Sequence, residues 1–175
     1  SNREWSQSYG ESNIITPVVL SPGINPEAFE YLRTADMPNP VDVAVVQNRL
    51  VYASGNTLYW SDPGFPSAIT ANNFFMVPSE EQITAIAEKN SNLVIFTENE
   101  TWLYQPSVGE TVSQGRLTRV SDNVGCVGPN ANADTGGGLV WVDSSGVYQT
   151  ANGLSIKPIS EPVQPFFERE GMANP

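Results

Sequence analysis

Apolar residues in this 175-residue chain fall in short blocks between polar turns, not at the helical spacing of three and four. Leu50 to Ala53, Leu93 to Phe96 and Leu139 to Val142 are each an unbroken apolar block. A run that short, apolar on both faces, reads as a β-strand buried on both sides. Each block leads into a polar turn: Ser54-Gly55-Asn56, Glu98-Asn99-Glu100 and Ser144-Ser145-Gly146. Gly and Asn tolerate the positive φ that tight hairpins require. A second strand rich in Tyr and Trp follows every turn. The pattern therefore predicts three β-hairpins.

The hairpins are copies of one another: LVYASGNTLYWS from Leu50, LVIFTENETWLYQ from Leu93 and LVWVDSSGVYQT from Leu139. The Leu starts at 50, 93 and 139 are spaced by 43 and 46 residues. The pairs Leu58-Tyr59, Leu103-Tyr104 and Val147-Tyr148 are spaced by 45 and 44. A period near 44 lies in the range of about 40 to 50 residues found for β-propeller blades. Flanking strand candidates extend each copy toward four strands: Val41 to Val46 and Phe74 to Val77 around the first, Ile83 to Ala87 and Arg116 to Val120 around the second. After the third, Ala151-Asn152-Gly153 turns into Leu154 to Ile159, while Asp122 to Gly138 reads as a loop-like tract and leaves that unit's first strand undefined. Leu50, Tyr59, Trp60, Leu93, Trp102, Tyr104, Leu139, Trp141 and Tyr148 are the expected repeat core, with the three leucines at equivalent buried positions.

The fold class that follows is all-β: propeller-like blades of antiparallel four-stranded sheets, about three repeats. A β-sandwich also repeats hairpins, but the matched sub-spacings favour blades. Expected boundaries are a lead-in over 1–40, blades over 41–80, 81–121 and 122–160, and a short helix or tail over 161–175. The lead-in holds one strand candidate, Ile14 to Leu20, and a short helix opened by Asn25-Pro26-Glu27 and closed near Arg33. Three blades do not close a ring of about four to eight. The chain is thus expected to be a partial propeller, completed by its N-terminal strands, by further sequence or by neighbouring subunits.

Composition narrows the chemistry. Histidine is absent, so no Ser-His-Asp triad, Cys-His pair or His-ligated metal exists. One cysteine, Cys126, excludes an internal disulfide framework and a Cys-based zinc site. No apolar stretch approaches the ~18 residues that span a bilayer, and no basic start with an apolar run marks a signal peptide. Ser1-Asn2 reads as a cloning remnant. The net charge is −11, spread as −3 over residues 1–40, −4 over 41–120 and −4 over 121–175, without a basic cluster. Gripping nucleic acid needs Lys and Arg for phosphate contacts, so that role is disfavoured. Anionic membrane surfaces are disfavoured for the same reason.

The remaining candidates are weak. Glu80-Glu81 and Glu98 with Glu100 are the close acid pairs that a glycosidase would need facing each other across a cleft. Glu98 and Glu100 fall in a predicted turn, where solvation is the simpler reading. Asp122, Asn123, Asn130, Asn132 and Asp134 are oxygen donors, but their spacing matches no EF-hand loop. Gly136-Gly137-Gly138 lacks the following Lys-Ser or Lys-Thr of a phosphate loop and reads as a flexible lead into a strand. Cys126 has no basic neighbour in sequence to activate it. The tryptophans sit at strand positions, which points to packing before sugar stacking. No catalytic residue, cofactor or metal is expected.

The run QNRLVYASGNTLYWSDPGFPSAI, the following FF, and ITAIAEKNSNLVIFTENETWLYQ resemble the propeller segments of tail-tube and nozzle proteins of short-tailed bacteriophages. These are the tail tubular and packaged-DNA stabilisation proteins. Arg49-Leu50, Trp60-Ser61 and Leu93 to Thr97 occupy the matching places, and GLVWVDSSGVYQTANGLSIKPIS resembles a closing blade. The resemblance covers roughly residues 41–167; family members are longer chains, which suggests an excised region. It implies a virion location and a non-enzymatic structural role, a rigid element shaping a DNA conduit. The implied partners are a homo-oligomeric ring, other virion tail proteins, and DNA that passes without tight binding. No catalytic residue is carried by the family pattern. The rival readings are a carbohydrate- or receptor-binding module of tail adsorption, a propeller glycosidase, and a cellular extracellular β-protein.

Overall fold

The computed structural model describes residues 39–69, 73–107, 115–150 and 155–160. The expected strand at 14–20, both helix candidates and the turn at 151–153 lie outside these residues. Among the described residues there is no α-helix, and Pro129–Ala131 forms a single 3-10 turn. Twelve strands make three antiparallel sheets, each of four strands hydrogen-bonded in chain order. The first sheet holds β1 (Asp42–Val46), β2 (Arg49–Ser54), β3 (Thr57–Trp60) and β4 (Phe74–Met76). The second holds β5 (Ala85–Lys89), β6 (Asn92–Phe96), β7 (Thr101–Gln105) and β8 (Arg116–Ser121). The third holds β9 (Asn132–Asp134), β10 (Leu139–Asp143), β11 (Gly146–Thr150) and β12 (Ile156–Pro158). The chain is therefore all-β.

Turn chemistry sets the registers. Gln47-Asn48 joins β1 to β2 with φ of 47° and 61°, and Asn90-Ser91 joins β5 to β6 with φ of 54° and 62°. Paired positive φ matches the right-handed twist of the strands it connects. The β2–β3 and β10–β11 hairpins turn in two residues, Gly55-Asn56 and Ser144-Ser145. The β6–β7 hairpin uses four, residues 97–100. That difference corrects the alignment of the tyrosines. Tyr59 faces Tyr52, Trp102 faces Ile95 and Tyr148 faces Trp141, so Trp102, not Tyr104, is the equivalent of Tyr59 and Tyr148. On this alignment both strands of the hairpin repeat at 43 and 46 residues.

The tract 122–138 contains the strand it was not expected to contain. Asn132, Ala133 and Asp134 pair with Trp141, Val140 and Leu139. Ala133 is the only apolar residue of β9, so no hydrophobic signal marked it. Residues 135–138, with the glycine run, form the β9–β10 turn. The amide and hydroxyl of Thr135 donate to the Gly138 carbonyl at 3.0 and 2.9 Å.

Alternation along the strands gives each sheet two faces. Val51, Ala53, Leu58 and Trp60 of the first sheet pack on Leu93, Ile95, Trp102 and Tyr104 of the second. The Trp60 and Tyr104 rings lie 5.2 Å apart, and Phe75 lies 5.6 Å from Tyr104. Val94, Phe96 and Leu103, on the reverse of the second sheet, pack on Leu139 and Trp141 of the third, with Cys126 and Val124 between. Phe96 and Trp141 rings lie 5.1 Å apart. Only β6 has its whole apolar block buried; β2 and β10 bury alternate residues. Among the described sheets, the expectation of three doubly buried strands thus holds for the middle one alone, because only it has a described neighbour on each side. Leu93 and Leu139 are buried, whereas Leu50, at the equivalent position, is half-buried. No described sheet precedes the first to cover it.

Leu93→Ala is accordingly expected to cost about 2–5 kcal/mol, as buried large-to-small changes do. Leu50→Ala is expected to cost about 1 kcal/mol in dilute solution, because less area leaves water there. Urea denaturation of the two variants checks the difference; equal losses would contradict the stacking order.

Candidate functional site

The polar side chains that meet between the sheets hold backbone groups rather than lining a cleft. Asp42 opens β1, and its two carboxylate oxygens diverge. One accepts from the Val43 amide at 2.8 Å; the other crosses to β5 and accepts from the Ile86 amide at 2.9 Å. At the next junction Thr84 donates its hydroxyl to the Cys126 carbonyl at 2.6 Å. The Cys126 amide donates to the Thr97 carbonyl at 3.0 Å, and the Thr101 hydroxyl to the Val124 carbonyl at 2.7 Å. Buried Asp143 accepts from the Gly125 amide at 3.0 Å and from the Ser145 amide at 2.7 Å, and its carboxylate also takes the Ser145 hydroxyl. The segment 124–126 is thereby pinned between the β6–β7 turn and the β10–β11 turn. Gly125 fits there because a Cβ would overlap the carbonyl oxygens of Thr97 and Glu98.

Hydrogen bonds engage one acid of each pair, Glu81 and Glu100. Glu81 reaches the β6–β7 turn and accepts from the Thr97 hydroxyl at 2.6 Å, the Asn99 amide at 2.9 Å and the Asn99 side chain at 2.6 Å. Partial burial works against its charge, but these donors outweigh it and hold the carboxyl below the usual glutamate range. Glu100 accepts from Trp102 Nε1 at 3.0 Å and from Arg119 at 3.1 Å. Burial opposes its charge too, and the donors of Ser79, Trp102 and Arg119 again win, lowering its pKa. The Arg119 guanidinium also lies 5.6 Å over the Trp102 ring. Glu80 and Glu98 are exposed. A glycosidase acid must stay protonated near neutral pH; Glu81 and Glu100 are both shifted the other way.

The oxygen-rich tract is also dispersed. Asp122, Asn123 and Asn130 are exposed, and the Asn132 amide donates to the Pro129 carbonyl at 3.0 Å. Asp134 pairs with Lys89 at 2.7 Å, joining β9 to β5, and accepts from the Gly136 amide at 2.8 Å. Its pKa is lowered, first by the Lys89 hydrogen bond. Among the described residues no three His, Cys, Asp or Glu side chains gather as metal ligands. Cys126 is fully buried, and burial pushes its thiol pKa up, away from thiolate. Trp60, Trp102 and Trp141 are buried, so none presents a ring to solvent. The Nε1 atoms of Trp60 and Trp141 have no acceptor.

Of the repeat core, Trp60, Leu93, Trp102, Tyr104, Leu139 and Trp141 are buried, while Leu50, Tyr59 and Tyr148 are half-buried. Tyr148 packs on the second core cluster and stacks on Trp141 at 6.3 Å. Leu50 and Tyr59 instead belong to a sheet face that no described sheet covers, although Tyr52 of that face donates its hydroxyl to the Pro66 carbonyl at 3.0 Å. Sequence reasoning missed the clamps Asp42, Thr84, Glu81 and Asp143. Asp143 carries a local signal, since Asp before Ser-Ser-Gly favours an Asx turn. Asp42 and Thr84 reach residues more than 40 positions away, and Glu81 reaches the β6–β7 turn of its own sheet, so none of the three is marked by a local motif.

Two outcomes test these clamps. The folded pKa of Glu81 lies below its unfolded value of about 4.3, so its contribution is complete above about pH 5 and is lost as pH falls through the depressed pKa. Glu81→Gln is expected to lose about 1 kcal/mol at about pH 7, the value for a charged acceptor reduced for partial exposure, and almost nothing near pH 2. Urea titrations at both pH values check this. Gly125→Ala is expected to lose about 1–3 kcal/mol by overpacking; thermal unfolding that leaves its midpoint unchanged would show that the turn can give way.

Comparison of the sequence with protein-family models and with curated proteins finds no match to either.

Proposed function

We propose that the three sheets are consecutive blades of a β-propeller and that the chain is a non-enzymatic structural element of a phage tail or head-to-tail assembly. In this reading it is a rigid wall piece that shapes a DNA conduit and docks neighbouring subunits. The observation that carries the reading is the stacking of the three sheets in chain order, with their first strands side by side. Asp42 joins β1 to β5, and Lys89 with Asp134 joins β5 to β9. First strands adjacent around an axis are what a propeller requires. The resemblance of residues 41–167 to tail-tube and nozzle segments supplies the virion setting.

Charge supports a passive wall. The net charge is −11. Lys89 and Arg119 are already paired with Asp134 and Glu100, and Arg49 donates to the Ser61 carbonyl at 3.1 Å. DNA must leave such a conduit quickly, and Lys and Arg contacts would hold it in a salt-dependent way. A second reading, a carbohydrate- or receptor-binding module of tail adsorption, is favoured by one observation: Tyr52, Tyr59 and Phe74 share the uncovered face of the first sheet. Measurable glycan binding that is lost on changing these aromatics would favour it. Turnover of a glycan abolished by changing Glu98 or Glu100 would instead revive the glycosidase.

Negligible affinity for duplex DNA is the expected outcome in gel shifts, with no salt dependence. Tight binding at low salt, with a steep negative slope against salt, would reveal a basic surface and sink the passive-conduit reading. In an assembled particle the acids are expected partly to face the lumen, within a screening length of about 8 Å of the duplex. A lumen lined by neutral or basic side chains would remove that part.

A further inference from the structure

The two sheet junctions among the described residues are built from the same pair of faces. Val51, Ala53 and Leu58 of the first sheet cover Leu93, Ile95 and Trp102 of the second. Their equivalents on the second sheet, Val94 and Phe96 with Thr101, turn toward Leu139, Trp141 and Tyr148 of the third. One face of each kind is left over. The first sheet presents Leu50, Tyr52 and Tyr59, at the positions of Leu93, Ile95 and Trp102. The third presents Val140, Val142 and Val147, at the positions of Val51, Ala53 and Leu58. Neither set belongs to a core cluster of the described residues.

We propose that these two faces bind each other between two copies of this chain, head to tail. The leftover faces are the two halves of a junction the chain already makes twice: the apolar positions of Val51, Ala53 and Leu58 recur in Val140, Val142 and Val147, with Gln149 in the place of Trp60. The first-sheet face is also anomalous for a chain with a net charge of −11. Val43, Val45, Phe74 and Met76 are 50%, 62%, 45% and 55% exposed and flank Leu50 and Tyr59 without a charged residue among them. A contiguous exposed apolar patch of this kind marks an interaction surface. On the third sheet Ile159, 42% exposed, extends the face beside Val147. The two faces differ, so the contact is heterologous, and it ends in a ring only if the rotation closes. The described residues of two chains bring six four-stranded sheets, within the range of about four to eight blades. The pairing rests on the sheets alone; closure into a two-chain ring rests on the propeller reading.

Sedimentation of the full chain and two variants tests this. Val45→Glu places a charge on the first-sheet face, and Ile159→Glu on the third-sheet face; both sites are exposed in the single chain, so folding is preserved. The native chain is expected at twice the single-chain mass at about 100 μM, falling to single chains on dilution. Each variant alone is expected to raise the dissociation constant at least about ten-fold, since a buried unpaired charge opposes contact. Mixing the two variants restores one intact contact, between the third sheet of Val45→Glu and the first sheet of Ile159→Glu, and pairs reappear. Single-chain mass for the native protein at that concentration overturns the proposal and points to cover by residues 1–38 or by another protein. Pairs that survive Ile159→Glu but not Val45→Glu overturn it in favour of a symmetric first-sheet contact. Larger open chains in place of pairs leave the contact standing and refute the ring. The DNA measurement above is independent of all these outcomes.

Discussion

A four-stranded sheet with large apolar side chains on both faces cannot stand in water by itself, and the second sheet of this protein is such a sheet. Leu93 and Ile95 point one way, Val94 and Phe96 the other, and all four are buried. Removing that area from water is the main favourable term available, so the sheet requires a cover on each side. The first sheet supplies Val51, Ala53, Leu58 and Trp60, and the third supplies Leu139 and Trp141. The stacking order follows from this one demand, and so does the half-burial of Leu50, on a sheet face against which no described sheet lies.

Stacking sheets creates a second requirement at their rims. Strand ends and turns carry amides and carbonyls that lose water when sheets meet, and unpaired buried groups are costly. Asp42, Glu81, Thr84 and Asp143 meet that need, each bonding backbone from a neighbouring strand, turn or sheet. The consequence for chemistry is direct. Glu81 and Glu100, each held by several donors, are stabilised in their charged form and have no proton to give near neutral pH. One acid of each candidate pair, Glu81 and Glu100, is thus committed to architecture, while Glu80 and Glu98 are exposed.

Much of the fold was legible in the sequence. Period-two and block patterns mark nearly every strand within a residue or two, and the spacing of Leu50, Leu93 and Leu139 marks equivalent positions. The exceptions have physical causes. β9 is Asn-Ala-Asp and owes its strand state to pairing with Leu139 to Trp141, so no local preference marked it. The tyrosine alignment slipped because the four-residue turn at residues 97–100 holds the following strand two residues later than a tight turn does. Asp42 and Thr84 were illegible as clamps because they join Ile86 and Cys126, 44 and 42 positions away, which are neighbours only after the sheets stack.

What the sequence determined by itself is the repeating unit: hydrophobic blocks of strand length, turns of Gly, Asn and Ser, and a net charge of −11 without a basic patch, all set by local propensity and composition. What only the tertiary structure decided is the use of each face. Leu50 and Leu93 are the same residue at the same place in the same hairpin, yet one is half-buried and the other fully buried. Burial is a property of the neighbour as much as of the residue, and the pattern along a strand records which side is apolar without recording whether another sheet lies against it.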